Sequence, residues 1–238
     1  MKIHSVVIAL GLLLAAAVAQ AQAPSVGRAA RLTGDQISSA QAPGAPARKL
    51  AEGNPIFAGE RIRTGAGTVL EIEFNDKSRF TLGSNTEFEV EKYFQAAGGS
   101  SGEEAFTSRV FKGAFRFVSG LIAKRKHENV HITIAVATIG IRGTRFEGEV
   151  SERQQKNGKT VDASAKVALL EPEGSGGNAI VVENKFGSVV IDKPGYGTEI
   201  PDEKSPPSPV KRMQLRTIEN LQRSLRPPSG LGGPARRF

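Results

Sequence analysis

The sequence lacks cysteine and tryptophan altogether, and its 238 residues include only two tyrosines and three histidines. The absence of cysteine excludes disulfides, thiolate metal sites and cysteine nucleophiles, so the fold must depend on an apolar core and a hydrogen-bonded backbone. Long apolar runs are missing as well, since no stretch reaches the roughly 20 apolar residues that a membrane-spanning helix needs. These absences predict a chain held together by ordinary packing.

The first 21 residues predict a cleavable signal peptide. Lys2 gives a basic start, an apolar run extends from Val6 to Val18, and Ala19-Gln20-Ala21 has the form of an A-x-A cleavage site. The apolar run is too short to cross a bilayer comfortably. The sequence therefore predicts an exported protein, periplasmic or secreted, that is cut after Ala21 and retains no transmembrane segment.

The net charge of +8 is concentrated at the C-terminal end. Residues 202–238 contain eight basic and three acidic side chains, whereas the preceding part of the exported chain is close to neutral. A basic tail outside the cytoplasm meets acidic proteins, anionic polymers or anionic lipid surfaces more readily than DNA. We therefore expect an envelope protein or anionic polymer as the partner, with no nucleic acid.

Residues 28–200 have the pattern of an all-β domain. Thr68–Phe74 and Thr86–Phe94 alternate apolar and polar residues, which is typical of strands with one buried and one solvated face. Short strands with turn signals between them suit a sandwich, a solenoid or a roll. The other strand-like segments are Phe106–Phe111, Ala114–Gly120, Val130–Val136, Thr144–Val150, Ser164–Leu170, Asn178–Glu183 and Gly187–Asp192.

The C-terminal part predicts a proline-rich linker over residues 201–209, a basic amphipathic helix over residues 210–225 and a disordered tail over residues 226–238. Ser208 and Pro209 suit the N-cap and first position of the helix. The helix either docks on the β domain or contacts a membrane surface or partner. Its apolar residues at helical spacing are Leu215, Ile218, Leu221 and Leu225, and its candidate contact residues are Lys211, Arg212, Arg216 and Arg223.

One short motif suggests zinc chemistry. Residues 127–131 read His-Glu-Asn-Val-His, which matches HExxH. That motif works on a helix, where the two histidines lie one turn apart and the glutamate acts as the general base. The β-branched residues that follow favour a strand, on which His127 and His131 would be about 13 Å apart. We therefore favour an exposed turn entering a strand, and predict neither a metal nor a cofactor.

Alternating glutamates occur in two of the predicted strands. Glu71 and Glu73 share one strand face, and so do Glu87, Glu89 and Glu91. Either group could attract a cation, but a solvated strand face is the commoner reason for this spacing.

Two glycine-containing turns are candidate structural or contact sites. Gly65 and Gly67 follow a short strand in RIRTGAG, and Arg142-Gly143-Thr144 lies within GIRGTRF. Gly143 permits a positive φ, Thr144 can hydrogen-bond within a turn, and the five donors of Arg142 can satisfy neighbouring carbonyls. We favour a structural role over ligand contact for both turns.

Together these segments resemble the FecR-type domain. The resemblance extends from about Arg31 to Ile200 and is most specific in GIRGTRF and RIRTGAG. It implies a periplasmic all-β module with a twisted, solenoid-like or roll-like architecture that acts by protein contact. This sequence departs from the family pattern at Lys77, where a glycine is usual, and at Arg145, where an acidic residue is common. Residues 135–137 also replace the usual Thr-Pro approach.

The resemblance implies a non-enzymatic exported protein that serves as a binding, regulatory or scaffolding module of the cell envelope. The regulator for which the family is named has a cytoplasmic anti-sigma segment and a membrane helix ahead of this domain, and we expect this chain to be a stand-alone form. A protein that binds cell-wall polysaccharide or peptidoglycan is the alternative, although the lack of tryptophan counts against it. An HExxH zinc metallopeptidase is the distant alternative.

Overall fold

A computed structural model describes residues 24–34, 36–95, 104–172 and 178–226. The predicted signal peptide and all but the first residue of the predicted tail at 226–238 lie outside these ranges. None of the helices in the described ranges is long and apolar enough to cross a membrane.

The described residues form nineteen strands, two α-helices and one short 3-10 helix, His127–Asn129. The α-helices are α1 (Leu121–Arg125) and α2 (Leu215–Ser224). The strands are β1 (Gly27–Thr33), β2 (Ser39–Gln41), β3 (Arg48–Lys49), β4 (Pro55–Ile56), β5 (Arg61–Arg63), β6 (Val69–Phe74), β7 (Arg79–Leu82), β8 (Glu87–Phe94), β9 (Ala105–Val118), β10 (Val130–Ile134), β11 (Ala137–Arg142), β12 (Arg145–Ser151), β13 (Gln154–Lys156), β14 (Lys159–Val161), β15 (Ser164–Leu169), β16 (Ala179–Asn184), β17 (Gly187–Ile191), β18 (Tyr196–Ile200) and β19 (Lys211–Arg212).

Two sheets meet at the long strand β9. Sheet A has the order β4-β1-β6-β7-β9-β12-β15-β18-β19, and sheet B has the order β3-β2-β5-β8-β9-β10-β11-β16-β17. The first half of β9 belongs to sheet B and its second half to sheet A. The pairing of β9 with β10 is parallel, and the chain makes this crossover through α1 and the 3-10 helix. The hairpin of β13 and β14 stands apart from both sheets.

Strand β9 changes sheets at Gly113. This glycine has φ = 97°, and a Cβ atom there would overlap the side chain of Thr86. Only glycine adopts such a backbone readily and leaves the room that Thr86 occupies. The sequence alone predicted two strands here, Phe106–Phe111 and Ala114–Gly120, and the structure corrects them to one bent strand.

The core lies between the two sheets and is rich in phenylalanine. Phe80 of sheet A lies 4.5 Å from Phe88 of sheet B between ring centroids, and Phe74 lies 4.7 Å from Phe106. These rings are at most 1% exposed. The apolar members of the alternating strands therefore face one shared core, and the all-β prediction is confirmed. The solenoid-like or roll-like arrangement is not confirmed, because the strands form two open sheets that face each other.

The C-terminal region differs from the prediction in its details. Lys211–Arg212 is a strand paired with β18, so the helix begins at Leu215 with Gln214 as its N-cap, not at Ser208 and Pro209. Ser208 is instead hydrogen-bonded to β18. Its N–H donates to the Glu199 carbonyl (2.9 Å), and its carbonyl accepts from Thr198 Oγ1 (2.6 Å). Successive prolines keep this segment extended and delay the helix. The predicted linker is therefore packed against the domain.

Candidate interaction surface and buried charge cluster

Helix α2 docks on the outer face of sheet A. Leu221 is 2% exposed and packs with Met213 and Ala168 in a small apolar cluster separate from the main core. Leu225 is buried as well. At the C-terminal end of α2 the Ser224 carbonyl lies over Gly83, where a Cβ atom would be only 2.5 Å from that oxygen. The helix thus covers part of the outer face of sheet A, which would be exposed to water without it.

The docked helix covers a buried carboxylate, Glu147. The register of β12 places Glu147 opposite Arg116 of β9 and Ala168 of β15, and its side chain is 0% exposed. Arg116 Nη2 donates to Glu147 Oε2 at 3.1 Å, while Oε1 has no hydrogen-bond partner among the described residues. Burial raises the pKa of Glu147, and the positive charges of Arg116 and Arg145 oppose that rise. The sequence gives no sign of this burial, because the alternation in RFEGEV predicts that Glu147 faces solvent.

The predicted contact residues lie on the outside of this C-terminal segment. Arg212, Arg216 and Arg223 are exposed, and Lys211 Nζ lies 3.5 Å from Glu199 Oε1. Two of the four residues are on β19 and two are on α2. Since β19 is hydrogen-bonded to β18 and α2 is anchored by Leu221, the domain fixes the backbone positions from which the basic side chains extend.

The two glycine turns have structural partners. The Gly67 N–H donates to Ser84 Oγ (2.8 Å) with φ = 65° at Gly67, and a Cβ atom on Gly65 would lie 2.5 Å from Gln36 Cβ. In the second turn Gly143 has φ = 64° and Thr144 Oγ1 lies 2.6 Å from Asn178 Oδ1. These contacts accord with a structural role for both turns.

Arg142 does not behave as the sequence suggested. Its side chain is exposed at the end of β11 and makes no hydrogen bond to a carbonyl of the described residues. The two turns also lie apart. Gly65 is near Thr86 and the bend of β9, whereas the Thr144 carbonyl accepts from Ser119 N–H beyond the far end of β9. The sequence motifs therefore do not combine into one site.

The alternating glutamates of β8 are paired with arginines. Arg61 lies between Glu87 and Glu89, at 3.3 and 3.0 Å, and Arg63 reaches Glu87 at 3.0 Å. The Arg61 guanidinium also stacks on Phe111, 4.0 Å from the ring centroid. The alternating basic residues of RIR in β5 are the complement of the alternating glutamates of β8, a signal that is present in the sequence. The outer face of β5, β8 and β9 is thus a ladder of ion pairs.

The HExxH residues do not adopt the geometry of a zinc protease. His127 is in the 3-10 helix with Nδ1 3.4 Å from Glu128 Oε2, and His131 lies on β10 opposite Gly140. This is the predicted turn entering a strand. Within the described ranges no three His, Cys, Asp or Glu side chains are grouped so as to hold a metal ion.

A second buried carboxylate, Asp76, organises the turn between β6 and β7. Its side chain accepts from Ser78 N–H (3.1 Å), from Ser78 Oγ (2.6 Å) and from Ile122 N–H (3.2 Å), so it joins this turn to α1. The Tyr93 hydroxyl lies 3.3 Å from Asp76 Oδ1, and its ring stacks on Phe74. Burial and the nearby Asp76 raise the pKa of Tyr93 far above its ordinary value. The partly buried Tyr93 ring therefore packs against the core, and its hydroxyl is bonded to the β6–β7 turn.

Comparison with known proteins finds one family model that matches part of the chain. Residues 60–169 match the family described as "FecR protein". No curated protein matches the chain. Two crystal structures of a "putative anti-sigma factor" from Parabacteroides distasonis ATCC 8503, at 1.65 and 2.50 Å resolution, are similar at 10% identity and a TM-score of 0.48. Each alignment covers 67% of this chain and 62% of the other, so this chain spans less than two thirds of that protein's length. The matched part, residues 60–169, extends from the end of the β4–β5 turn through β15 and is similar to a FecR domain.

Proposed function

We propose that the chain is a non-enzymatic FecR-domain protein of the cell envelope that regulates or scaffolds by binding an acidic protein. The family match over residues 60–169 supports a regulatory role in the envelope. An exported chain with the signal-like start described above would act in the periplasm or outside the cell. The contact surface in this proposal is the basic face formed by Lys211, Arg212, Arg216 and Arg223.

The observation that carries the proposal is the orientation of α2. Its buried residue Leu221 and the following Leu225 face sheet A, so the arginines extend into solvent from an ordered backbone. Charged residues on an ordered backbone lose less conformational entropy on binding than charged residues on a loose tail. Arginine also forms bidentate hydrogen bonds with carboxylates, which suits an acidic protein surface.

A membrane surface is the weaker candidate for this contact. A helix that lies in a bilayer interface inserts its apolar face among the lipids. In α2 most of that face is already packed against sheet A, and Leu215, at 76% exposure, is the large apolar residue that remains outside. Docking on the domain and insertion into lipid use the same leucines, so they exclude each other.

Capture of partners from envelope extract tests the proposal. The bait is the full chain, compared with the variant Arg212→Glu/Arg216→Glu/Arg223→Glu. The matched control, Lys124→Glu/Lys126→Glu/Lys159→Glu, changes the net charge equally at exposed positions elsewhere. We expect an acidic protein that the bait retains, the control retains and the arginine variant loses. Equal retention by all three baits would show that the basic face is not the contact, and binding to anionic vesicles that only the arginine variant loses would favour lipid instead.

A further inference from the structure

The edge strands of the two large sheets are protected very unequally. In the described part of the chain, three of these edges are strands of two residues that carry charge or proline: β3 is Arg48–Lys49, β4 is Pro55–Ile56 and β19 is Lys211–Arg212. Short length, charged side chains and proline are the usual means by which proteins prevent sheets from pairing edge to edge. The fourth edge, β17, has five residues, Gly187–Ile191, with no charged residue and no proline.

The free side of β17 presents unpaired backbone groups. Asn184 and Gly187 flank a two-residue turn and lie opposite each other. Their N–H and C=O groups therefore form backbone hydrogen bonds with one another across the hairpin. Alternate residues of an antiparallel strand point to opposite sides, and therefore Ser188 and Val190 direct their N–H and C=O groups away from β16. Nothing in the described ranges donates to, or accepts from, these outward groups.

An apolar strip accompanies this edge. Val190 is 54% exposed, and the half-buried Val181 lies opposite it on β16. Phe186, in the turn before β17, is 43% exposed. The next strand inward, β11, has Gly140 opposite Val181, which leaves the surface flat beside the two valines. A flat, valine-rich edge with exposed backbone groups is suited to the addition of another strand.

We propose that β17 pairs antiparallel with β17 of a second copy of this chain. A two-fold axis at Val189 would place Ser188 of each copy opposite Val190 of the other, and both of these residues point outward. Their N–H and C=O groups would then meet as hydrogen-bonded pairs, and the two Val190 side chains would become diagonal neighbours on one face. The strand is its own complement in this register, which favours a second copy as the occupant.

The size of the edge sets the strength of the association. Two five-residue strands with their flanking side chains bury on the order of 600 Å² in total, about half of the ~1,200 Å² at the lower limit of stable complexes. The pairing is therefore reversible and depends on local concentration. β17 lies outside residues 60–169, so the pairing is a property of this chain beyond its FecR domain.

Sedimentation equilibrium of the full chain, from about 10 µM to about 1 mM, tests the pairing over the range where weak complexes dissociate. The variant Val190→Lys places a charge on the edge, and Val161→Lys is its control, because Val161 has a similar exposure (50% against 54%) on the separate β13–β14 hairpin. We expect the weight-average mass of the wild type and of Val161→Lys to rise by roughly half or more with concentration, while Val190→Lys stays monomeric. Far-UV circular dichroism confirms that each variant is folded.

Amide hydrogen exchange gives a second readout at the residue level. The N–H groups of Ser188 and Val190 should exchange several-fold more slowly at high than at low concentration, and the N–H of Val161 should not change. A wild type that is monomeric throughout the range overturns the proposal. So does association that Val190→Lys leaves intact, or that both lysine variants abolish alike, because the interface would then lie elsewhere or reflect charge alone.

Discussion

Arg116 and Glu147 form an ion pair, Nη2 to Oε2 at 3.1 Å, on the side of sheet A that α2 covers. The carboxylate is fully buried and one of its oxygens lacks a partner in the described structure. A buried ion pair loses more hydration than its Coulomb energy returns unless all its groups are satisfied. The pair is therefore better understood as a feature that depends on the docked helix than as a source of stability.

The first prediction concerns the pH dependence that Glu147 produces. Because its pKa is raised on folding, the native state binds more protons than the unfolded state between the ordinary value, 4.5, and the raised one. The contribution of Glu147 to the free energy of unfolding is thus greatest below pH 4.5 and is lost as the pH rises through the raised pKa. Glu147→Gln should gain stability relative to the wild type over that interval, as measured by urea unfolding at several pH values. Glu149→Gln, an exposed site on the same strand, controls for the loss of one negative charge, and parallel curves for Glu147→Gln and the wild type would contradict the prediction.

A second prediction concerns the docking of α2. Leu221→Ala removes the main apolar contact of the helix, and we expect a loss of about 2–3 kcal/mol for the local docking equilibrium. Limited proteolysis should then cleave near α2 before it cleaves the sheets. Leu215→Ala, at a position 76% exposed, should behave like the wild type. If both variants resist protease equally, the helix does not depend on Leu221.

The sequence indicated much of this architecture because strand alternation is local. The predicted strands Thr68–Phe74 and Thr86–Phe94 agree with the bounds of β6 and β8 to within one residue. The alternation of apolar and polar residues within each segment is enough to predict its buried face. The bend at Gly113 and the burial of Glu147 were not predictable. Each depends on a contact with a segment that is distant in sequence. Thr86 packs against Gly113, and α2 covers Glu147.

The turn between β6 and β7 allows a third prediction. Lys77 has φ = 68°, a left-handed conformation that costs little only for glycine. Lys77→Gly and Lys77→Ala both remove the exposed ion pair with Glu73, but only glycine relieves the strained backbone. Lys77→Gly should therefore be more stable than Lys77→Ala by about 1 kcal/mol. Thermal and urea unfolding of the two variants measure this difference, and equal stabilities would show that the left-handed backbone at residue 77 carries no strain.

The fourth prediction separates backbone strain from steric overlap at Gly113. Gly113→Ala introduces a side chain at φ = 97° and also forces it against Thr86, whereas Gly158→Ala introduces one at φ = 73° into open space. Strain alone costs roughly 1 kcal/mol, and overpacking adds about 1–3 kcal/mol, so Gly113→Ala should lose about 2–4 kcal/mol and Gly158→Ala about 1 kcal/mol. Urea unfolding of both variants gives the comparison.

Since Gly113 is where β9 passes from sheet B to sheet A, Gly113→Ala should also weaken the pairing of β9 with β7 and β12, seen as faster amide exchange at Phe115 and Phe117. Equal losses for the two glycines would mean that the bend tolerates the extra atom and that β9 changes sheets for another reason.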